Sequence, residues 1–366
     1  MIRLFDTTLN QDLVGGLTEL INSGFISAGK KADEFELLLT KQLGLLNPVT
    51  VNCGTSALHL GLVSAGVKEG DEVITTAQTF IATGLSILYQ KAKPVFVDIS
   101  YETGNINPAK IEEKITEKTK AILVVHWAGY PCDMDEITSI AKKHNLIVIE
   151  DAAQAIGSVY KGKPIGSISD YTCFSFQAIK HLTTGDGGAI CTLTKENEQK
   201  LKRLRWFGID RQLDVPDELG ERVYNLQEYG YKYHMNDIAA TFGIYNLKVF
   251  GDRMKRLQNI AKQYNENFSN IDGLELFKYK DDRVSAYWLY GLHVEDRGNF
   301  IKKLQSSDID CSVVHLGIDK NDILGGLDHK LINQRKFDST QINIPINNDL
   351  TDENVNHIIK TIKNGW

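Results

Sequence analysis

Long apolar runs are missing from this sequence, and nothing in it approaches the ~18 apolar residues that a membrane span requires. No membrane contact is therefore expected. Closely spaced cysteines are missing too. The five cysteines, Cys53, Cys132, Cys173, Cys191 and Cys311, are odd in number, far apart and form no C-x-x-C pair. They read as buried free thiols, with no metal site. There is no excess of positive charge: a net charge of −6 and a pI near 5.9 argue against a nucleic-acid partner. The first residues, MIRLFDTTLNQDL, lack the basic-then-apolar layout of a signal peptide, so a soluble, cytoplasmic protein is expected. Internal repeats and low-complexity segments are absent. What remains is ordinary for a globular protein, 42% hydrophobic and 24% charged. Its 366 residues suffice for one large domain or two of unequal size.

The informative stretch is 146–190. A β-branched run, Ile147-Val148-Ile149, breaks off at Glu150 and Asp151, as a buried strand with a carboxylate at its C-terminal end would. A second apolar run over 171–176 leads into Gln177-Ala178-Ile179-Lys180 and a small-residue turn, Thr183-Thr184-Gly185-Asp186-Gly187-Gly188. Two strand ends thus offer a carboxylate and an amine. That pair suits pyridoxal 5′-phosphate, which needs a lysine tether at one end and an acid beside its ring nitrogen at the other. The acid keeps the ring nitrogen protonated; the lysine must shed its proton to act as nucleophile and base, which burial can arrange. Taken singly, Asp151 reads better as a helix cap and Lys180 as a surface lysine. The rest of the chain reverses that balance.

Residues 1–50 are mostly helical in pattern, with Leu13, Leu17, Leu20 and Ile21 on one face and Phe35, Leu38 and Leu39 on another. Lys30-Lys31 reads as a solvated helix start. At 49–66 a short strand ends in Asn52-Cys53-Gly54, and Ser56 opens a helix; Gly54, Thr55 and Ser56 offer amides and hydroxyls to an anion, although such residues also cap helices everywhere. Strands are expected at 72–75, 94–98 and 121–126, and helices at about 80–89 and 134–144. This alternation argues an α/β fold with a mostly parallel sheet covered on both faces. Phe80, directly after a strand, is placed to stack on a flat ring or to join the core. The segment 201–211 is basic and aromatic, 212–228 reads as a mobile loop, and 236–268 as a long helix joining two domains. A strand is expected over 285–294, and helices at 299–306 and 351–364. The division is drawn as a large domain, 1–254, and a smaller α+β domain, 255–366.

Five segments in order, VNCGTSALHLGL, EDAAQAIGSVYKGKPIG, FSFQAIKHLTTGDGGAI, GYKYHMNDIAA and SAYWLYGLHV, together resemble the DegT/DnrJ/EryC1/StrS family of sugar aminotransferases dependent on pyridoxal 5′-phosphate. The resemblance runs along nearly the whole chain. It implies a type I aminotransferase fold, with a mostly parallel central sheet and a smaller C-terminal domain, working as a homodimer with active sites at the interface. By position, Lys180 resembles the Schiff-base lysine, Asp151 the partner of the pyridine nitrogen and Gln154 the residue bonding the ring hydroxyl. Gly54, Thr55, Ser56 and Ser175 match the phosphate cup, and Phe80 the residue packing on the ring. Lys232 stands where the family often has an asparagine that reaches the neighbouring subunit's phosphate. Tyr287 and His315 lie where the sugar site is often lined. Gln177 replaces a common histidine, Asp186 a common glutamate, and 310–322 lacks the usual histidine-tyrosine-x-proline signature.

The implied reaction is ping-pong transamination. Glutamate leaves its nitrogen on the cofactor as pyridoxamine 5′-phosphate, and a nucleotide-linked ketosugar, 4-keto favoured and 3-keto allowed, accepts it. Bacterial-type surface polysaccharide or related amino-sugar biosynthesis is the implied setting. Lys202, Arg203, Arg205 and Lys232 could meet a diphosphate, though solvated charge is the better reading of the first three. Three rivals are weaker. Sugar dehydratases of the family carry histidine in place of the lysine. Desulfurases need a cysteine on a mobile loop, whereas the cysteines here read as mostly in strands. A cofactor-free scaffold would lack visible absorption. A nucleotide-binding oxidoreductase is weaker still, because the glycines of 185–188 follow a lysine.

Overall fold

In the computed structural model, which describes residues 1–211, 216–222 and 224–366, the chain opens with helices α1 (Leu13–Ser23) and α2 (Lys30–Leu43). Strand β1 (Val49–Val51) follows, then α3 (Gly54–Ser64), β2 (Glu72–Thr76), α4 (Ile81–Tyr89), β3 (Lys93–Val97), β4 (Thr119–Val125), α5 (Met134–Lys143) and β5 (Ile147–Asp151). Two short strands, β6 (Val159–Tyr160) and β7 (Lys163–Pro164), precede β8 (Tyr171–Ser175), β9 (Gly188–Thr192) and α6 (Lys195–Leu204). After α7 (Asp237–Leu247) and α8 (Phe250–Phe268) come β10 (Leu274–Leu276), β11 (Arg283–Val284), β12 (Tyr290–Val294), α9 (Arg297–Gln305), α10 (Ile332–Thr340), β13 (Gln341–Ile344) and α11 (Asp352–Lys363).

Seven strands form the main sheet in the order β1-β9-β8-β5-β4-β2-β3. β2, β3, β4, β5 and β8 run parallel, and β9 is antiparallel to both its neighbours. Strands β4 and β5 are buried on both faces, which is why they read as continuous apolar runs rather than alternating ones. β5 lies between β4 and β8, with Asp151 in register with Val125 on one side and Cys173 on the other. The carboxylate therefore emerges at the C-terminal edge of a parallel region, where such sheets bind ligands. A second sheet, β10-β12-β13, is antiparallel, and β11-β6-β7 forms a third, small one.

One apolar cluster runs from Phe35 and Leu39 on α2 through Met254, Leu257, Ile260 and Tyr264 on α8 to Ile342, Ile344 and Ile362 around the second sheet. α8 crosses the expected division at 254/255 without a break, and we place the division within this helix.

Several expectations need correction. The helix over 236–268 is two helices, interrupted at Lys248-Val249, where Val249 leaves helical geometry (φ −108°, ψ 2°). Asn246 is tied at that point to Asn10 N and Thr183 O. The strand over 285–294 exists only as β12; Tyr287, at φ 51°, interrupts the first half. The helix expected from Ser56 starts two residues earlier, with Cys53 as its cap. Ile21 does not share the buried face of Leu13 and Leu20 but is 66% exposed. Only Cys173 and Cys191 lie in strands, although four of the five thiols are buried and all are free. Of the loop expected over 212–228, residues 212–215 and 223 fall outside the described residues.

Candidate active site

Asp151 ends β5 and is buried. Its Oδ1 accepts from the Ala153 amide at 3.1 Å, and its Oδ2 from the Thr83 hydroxyl at 2.7 Å. Thr83 is bonded in turn to the Thr79 hydroxyl at 2.7 Å, so α4 and the turn before it hold the carboxylate in one orientation. Burial pushes the Asp151 carboxyl above its usual range, while Thr83, the Ala153 amide and Lys180 pull it back down. One residue earlier along β5, Glu150 points into a separate buried network, accepting from Thr172 at 2.8 Å and pairing with His126 Nε2 at 2.7 Å. The two adjacent acids thus divide between opposite faces of the strand, as the period of two requires.

Lys180 lies in the turn after β8, half-buried, its backbone amide donating to Gln177 O at 2.9 Å. Its Nζ sits 3.6 Å above the Trp288 ring centroid. Burial pushes this amine down to about 7, against the pull of Asp151 in the other direction. A lysine so placed is partly neutral at ordinary pH, as a nucleophile or base must be.

A cavity of 780 Å³ joins these two groups. Gly54 and Thr55, in the first turn of α3, line it together with Ser175 from β8. The first amides of a helix have no intrahelical acceptor, which leaves them for an anion. A Cβ on Gly54 would lie 2.8 Å from Ser175 Cβ, so glycine is what allows α3 to start this close to β8. Gln154, also on the wall, accepts from the Ala128 amide at 2.7 Å through Oε1, which leaves its NH₂ group to donate. Phe80, at the N-terminal boundary of α4, is 55% exposed, and its ring centroid lies 5.2 Å from that of His315. Burial, with Lys180 nearby, pushes His315 down to about 4, so it is neutral at ordinary pH.

Three expected residues lie elsewhere. The Ser56 hydroxyl donates to Asn52 Oδ1 at 2.7 Å and does not line the cavity. Tyr287 lines a small adjoining cavity of 40 Å³, which Lys180 and Trp288 also border. Lys232 is exposed, its Nζ 4.2 Å from the Trp206 ring centroid. Lys202 and Arg205 are not solvated charges: Lys202 pairs with Glu198 at 2.9 Å, and Arg205 is held by Glu36 and Thr50. Wall residues that sequence reasoning missed include Thr79, Phe5, Trp288 and Asp310. Thr83, which fixes Asp151 from behind, was missed as well. Phe5 and Asp310 carry no local signal, since each reaches the cavity only through distant pairing of the N-terminus with 308–310.

The donor set fits pyridoxal 5′-phosphate on structural grounds. A pinned carboxylate, an amine with its charge disfavoured, an aromatic ring and a helix N-terminus surround a single space of suitable size. Fold and site together define a type I aminotransferase architecture. Residues 8–363 match the DegT/DnrJ/EryC1/StrS aminotransferase family, and the chain belongs to it. GDP-perosamine synthase of Escherichia coli O157:H7 is 38% identical over 75% of this chain and 73% of its own. UDP-4-amino-4,6-dideoxy-N-acetyl-beta-L-altrosamine transaminase of Campylobacter jejuni (strain 81-176) is 36% identical over 79% of this chain and 76% of its own. Among solved structures, the sugar aminotransferase CalS13 of Micromonospora echinospora superposes with a TM-score of 0.95 at 32% identity, covering 100% of both chains.

Proposed function

We propose that this protein moves an amino group from glutamate to a nucleotide-linked keto-6-deoxysugar, 4-keto in preference to 3-keto, with pyridoxal 5′-phosphate held between Lys180 and Asp151. The reading rests on one observation: an amine pushed down to about 7 and a buried, doubly bonded carboxylate share one cavity. When bound, the cofactor supplies the electron sink that makes the proton beside the transferred nitrogen acidic. Lys180 would provide the tether and, as a free amine, the base for that proton. Asp151, oriented by Thr83 and Ala153, would hold its carboxylate against the ring nitrogen. Phe80 would cover the ring, and the Gln154 amide would donate to its hydroxyl. Gly54, Thr55 and Ser175 would receive the phosphate, with Ser56 bracing the cup from behind through Asn52. His315, as a neutral imidazole, and Tyr287 from the adjoining wall meet the sugar.

Lys232 does not line its own cavity, and we assign it to the phosphate of a second subunit. A homodimer is supported by the apolar side chains Val14, Ile21 and Phe25, which are 69%, 66% and 80% exposed around α1. Amino-sugar biosynthesis in the cytoplasm, for a surface polysaccharide or a related product, is the setting that fits this chemistry.

Lys180→Ala is expected to abolish both the visible absorption of the cofactor-loaded protein and its turnover while the fold persists. Retained transamination would overturn the assignment. Incubation with glutamate and a panel of nucleotide 4-keto and 3-keto sugars, with products identified by mass and NMR, tests the substrate. Amination of simple keto acids but of no nucleotide sugar would sink that half of the reading.

A further inference from the structure

The indole of Trp288 touches the reactive amine, yet nothing assigns it a part. Lys180 Nζ lies 3.6 Å above its ring centroid. Its own Nε1–H donates to Ile179 O at 3.0 Å, the carbonyl immediately before the lysine, so ring and lysine backbone are tied together. Phe5 stacks on the indole at 5.3 Å with the planes 30° apart. The Trp288 amide donates to Ala128 O at 2.9 Å, and the left-handed Tyr287 (φ 51°) turns the chain just before it. The ring is 5% exposed and borders both cavities next to Lys180. It is thus fixed on several sides, with a face turned to the amine.

We propose that Trp288 is a positioning residue for Lys180, its indole face being the seat on which the lysine's ammonium rests whenever the amine is free of cofactor. The inference rests on the reading of Lys180 as the tether. An aromatic face attracts an ammonium through its quadrupole, and most strongly where water is excluded; a neutral amine feels no such pull. The seat therefore holds the protonated lysine and lets it go on deprotonation, when it has to reach for a proton.

Burial and the indole oppose each other at this amine. Burial drives Lys180 towards neutrality, and Asp151, from β5, favours the charge. His315 and the adjacent His181 are both pushed down to about 4 and are neutral at ordinary pH. Asp186, Asp310, Cys53 and Cys311 line the larger cavity, and Asp6 and Tyr287 the smaller one. Against that background the indole raises the pH at which Lys180 becomes available.

The test uses the full-length protein freed of cofactor. Competitive labelling with trinitrobenzenesulfonate is run from about pH 5 to about pH 10, and the Lys180 peptide is followed by mass spectrometry. Trp288→Leu is expected to lower the midpoint of Lys180 by about one pH unit, which is about tenfold more reactive amine at a pH below the midpoint. Trp288→Phe, which keeps a ring with a weaker face, is expected to lower it by less. Midpoints unchanged or raised in both variants would overturn the proposal, because the indole would then only exclude water. If circular dichroism shows that the leucine variant does not fold, the phenylalanine variant decides alone. The readout involves no turnover, so its failure is separable from a failure of the transamination reading.

Discussion

At the scale of single residues, Asp151 and Thr83 show how a site is divided between what a sequence displays and what it hides. Asp151 and Lys180 are legible because each ends a buried apolar run, and a charge there has to be accounted for. Thr83 is not. It sits in the first turn of α4, where a threonine reads as filler, and its partner is 68 positions away. Yet it tempers the proton affinity that burial gives Asp151. Burial holds that carboxyl above its usual range, and the Thr83 hydroxyl is the largest of the groups pulling it back. In the fold the proton is bound more tightly than in the unfolded chain, so the cost of ionising Asp151 is fully present above its folded-state pKa. That cost is relieved as pH falls below it. Without the hydroxyl the carboxylate takes up its proton at a still higher pH. Thr83→Val should therefore move the acid limb of kcat/KM upward by about one pH unit, the loss of one hydrogen bond to a charged group. Thr83→Ser should leave the limb near its original position. An unmoved limb in the valine variant would show that another group sets it.

At the scale of elements, the parallel strands are legible, while the antiparallel β9 and the helix ends are not. Strands β2, β4 and β5 show themselves because burial on both faces enforces continuous β-branched and aliphatic runs. The interruption between α7 and α8 carries no proline and follows a continuous apolar pattern, so periodicity alone reads through it. The start of α2 is a sharper case. Gly29 has no side chain to cap with, and the lysines that follow suggest a solvated end. The cap comes instead from Asp237, at the start of α7. Its Oδ1 accepts from Gly29 N at 2.9 Å and Ala32 N at 3.1 Å, and its Oδ2 from Lys31 N at 3.2 Å. A buried carboxylate 205 positions from Ala32 answers both the orphan amides and the dipole of a 14-residue helix. Asp237→Ala leaves three amides without an acceptor in a partly buried place and is expected to cost about 2 kcal/mol or more. Urea unfolding measures this directly. A loss under about 0.5 kcal/mol would mean that water replaces the carboxylate without penalty.

At the scale of the whole molecule, the proposed dimer would account for the residues that fit least well. Lys232 stands on an exposed stretch against Trp206, outside the cavity that its sequence position led one to expect. Ile21 breaks the buried face of α1, and Phe25 is 80% exposed. A local pattern cannot separate a face turned to solvent from one turned to a second copy, since both are surface in one chain. A two-fold dimer accounts for all three if the apolar side chains meet across the axis and Lys232 enters the other subunit's phosphate cup. Subunit mixing then has a definite outcome. Lys180→Ala and Lys232→Ala should each be nearly inactive alone, the first for want of the tether and the second through weakened cofactor retention. Dissociated and reassociated in equal amounts, half of the dimers are mixed, and one of the two sites in each mixed dimer carries both lysines. About a quarter of the wild-type sites should return, measured as glutamate-dependent turnover. No recovery after verified exchange would place Lys232 in the service of its own subunit, and the shared-site arrangement would have to be given up.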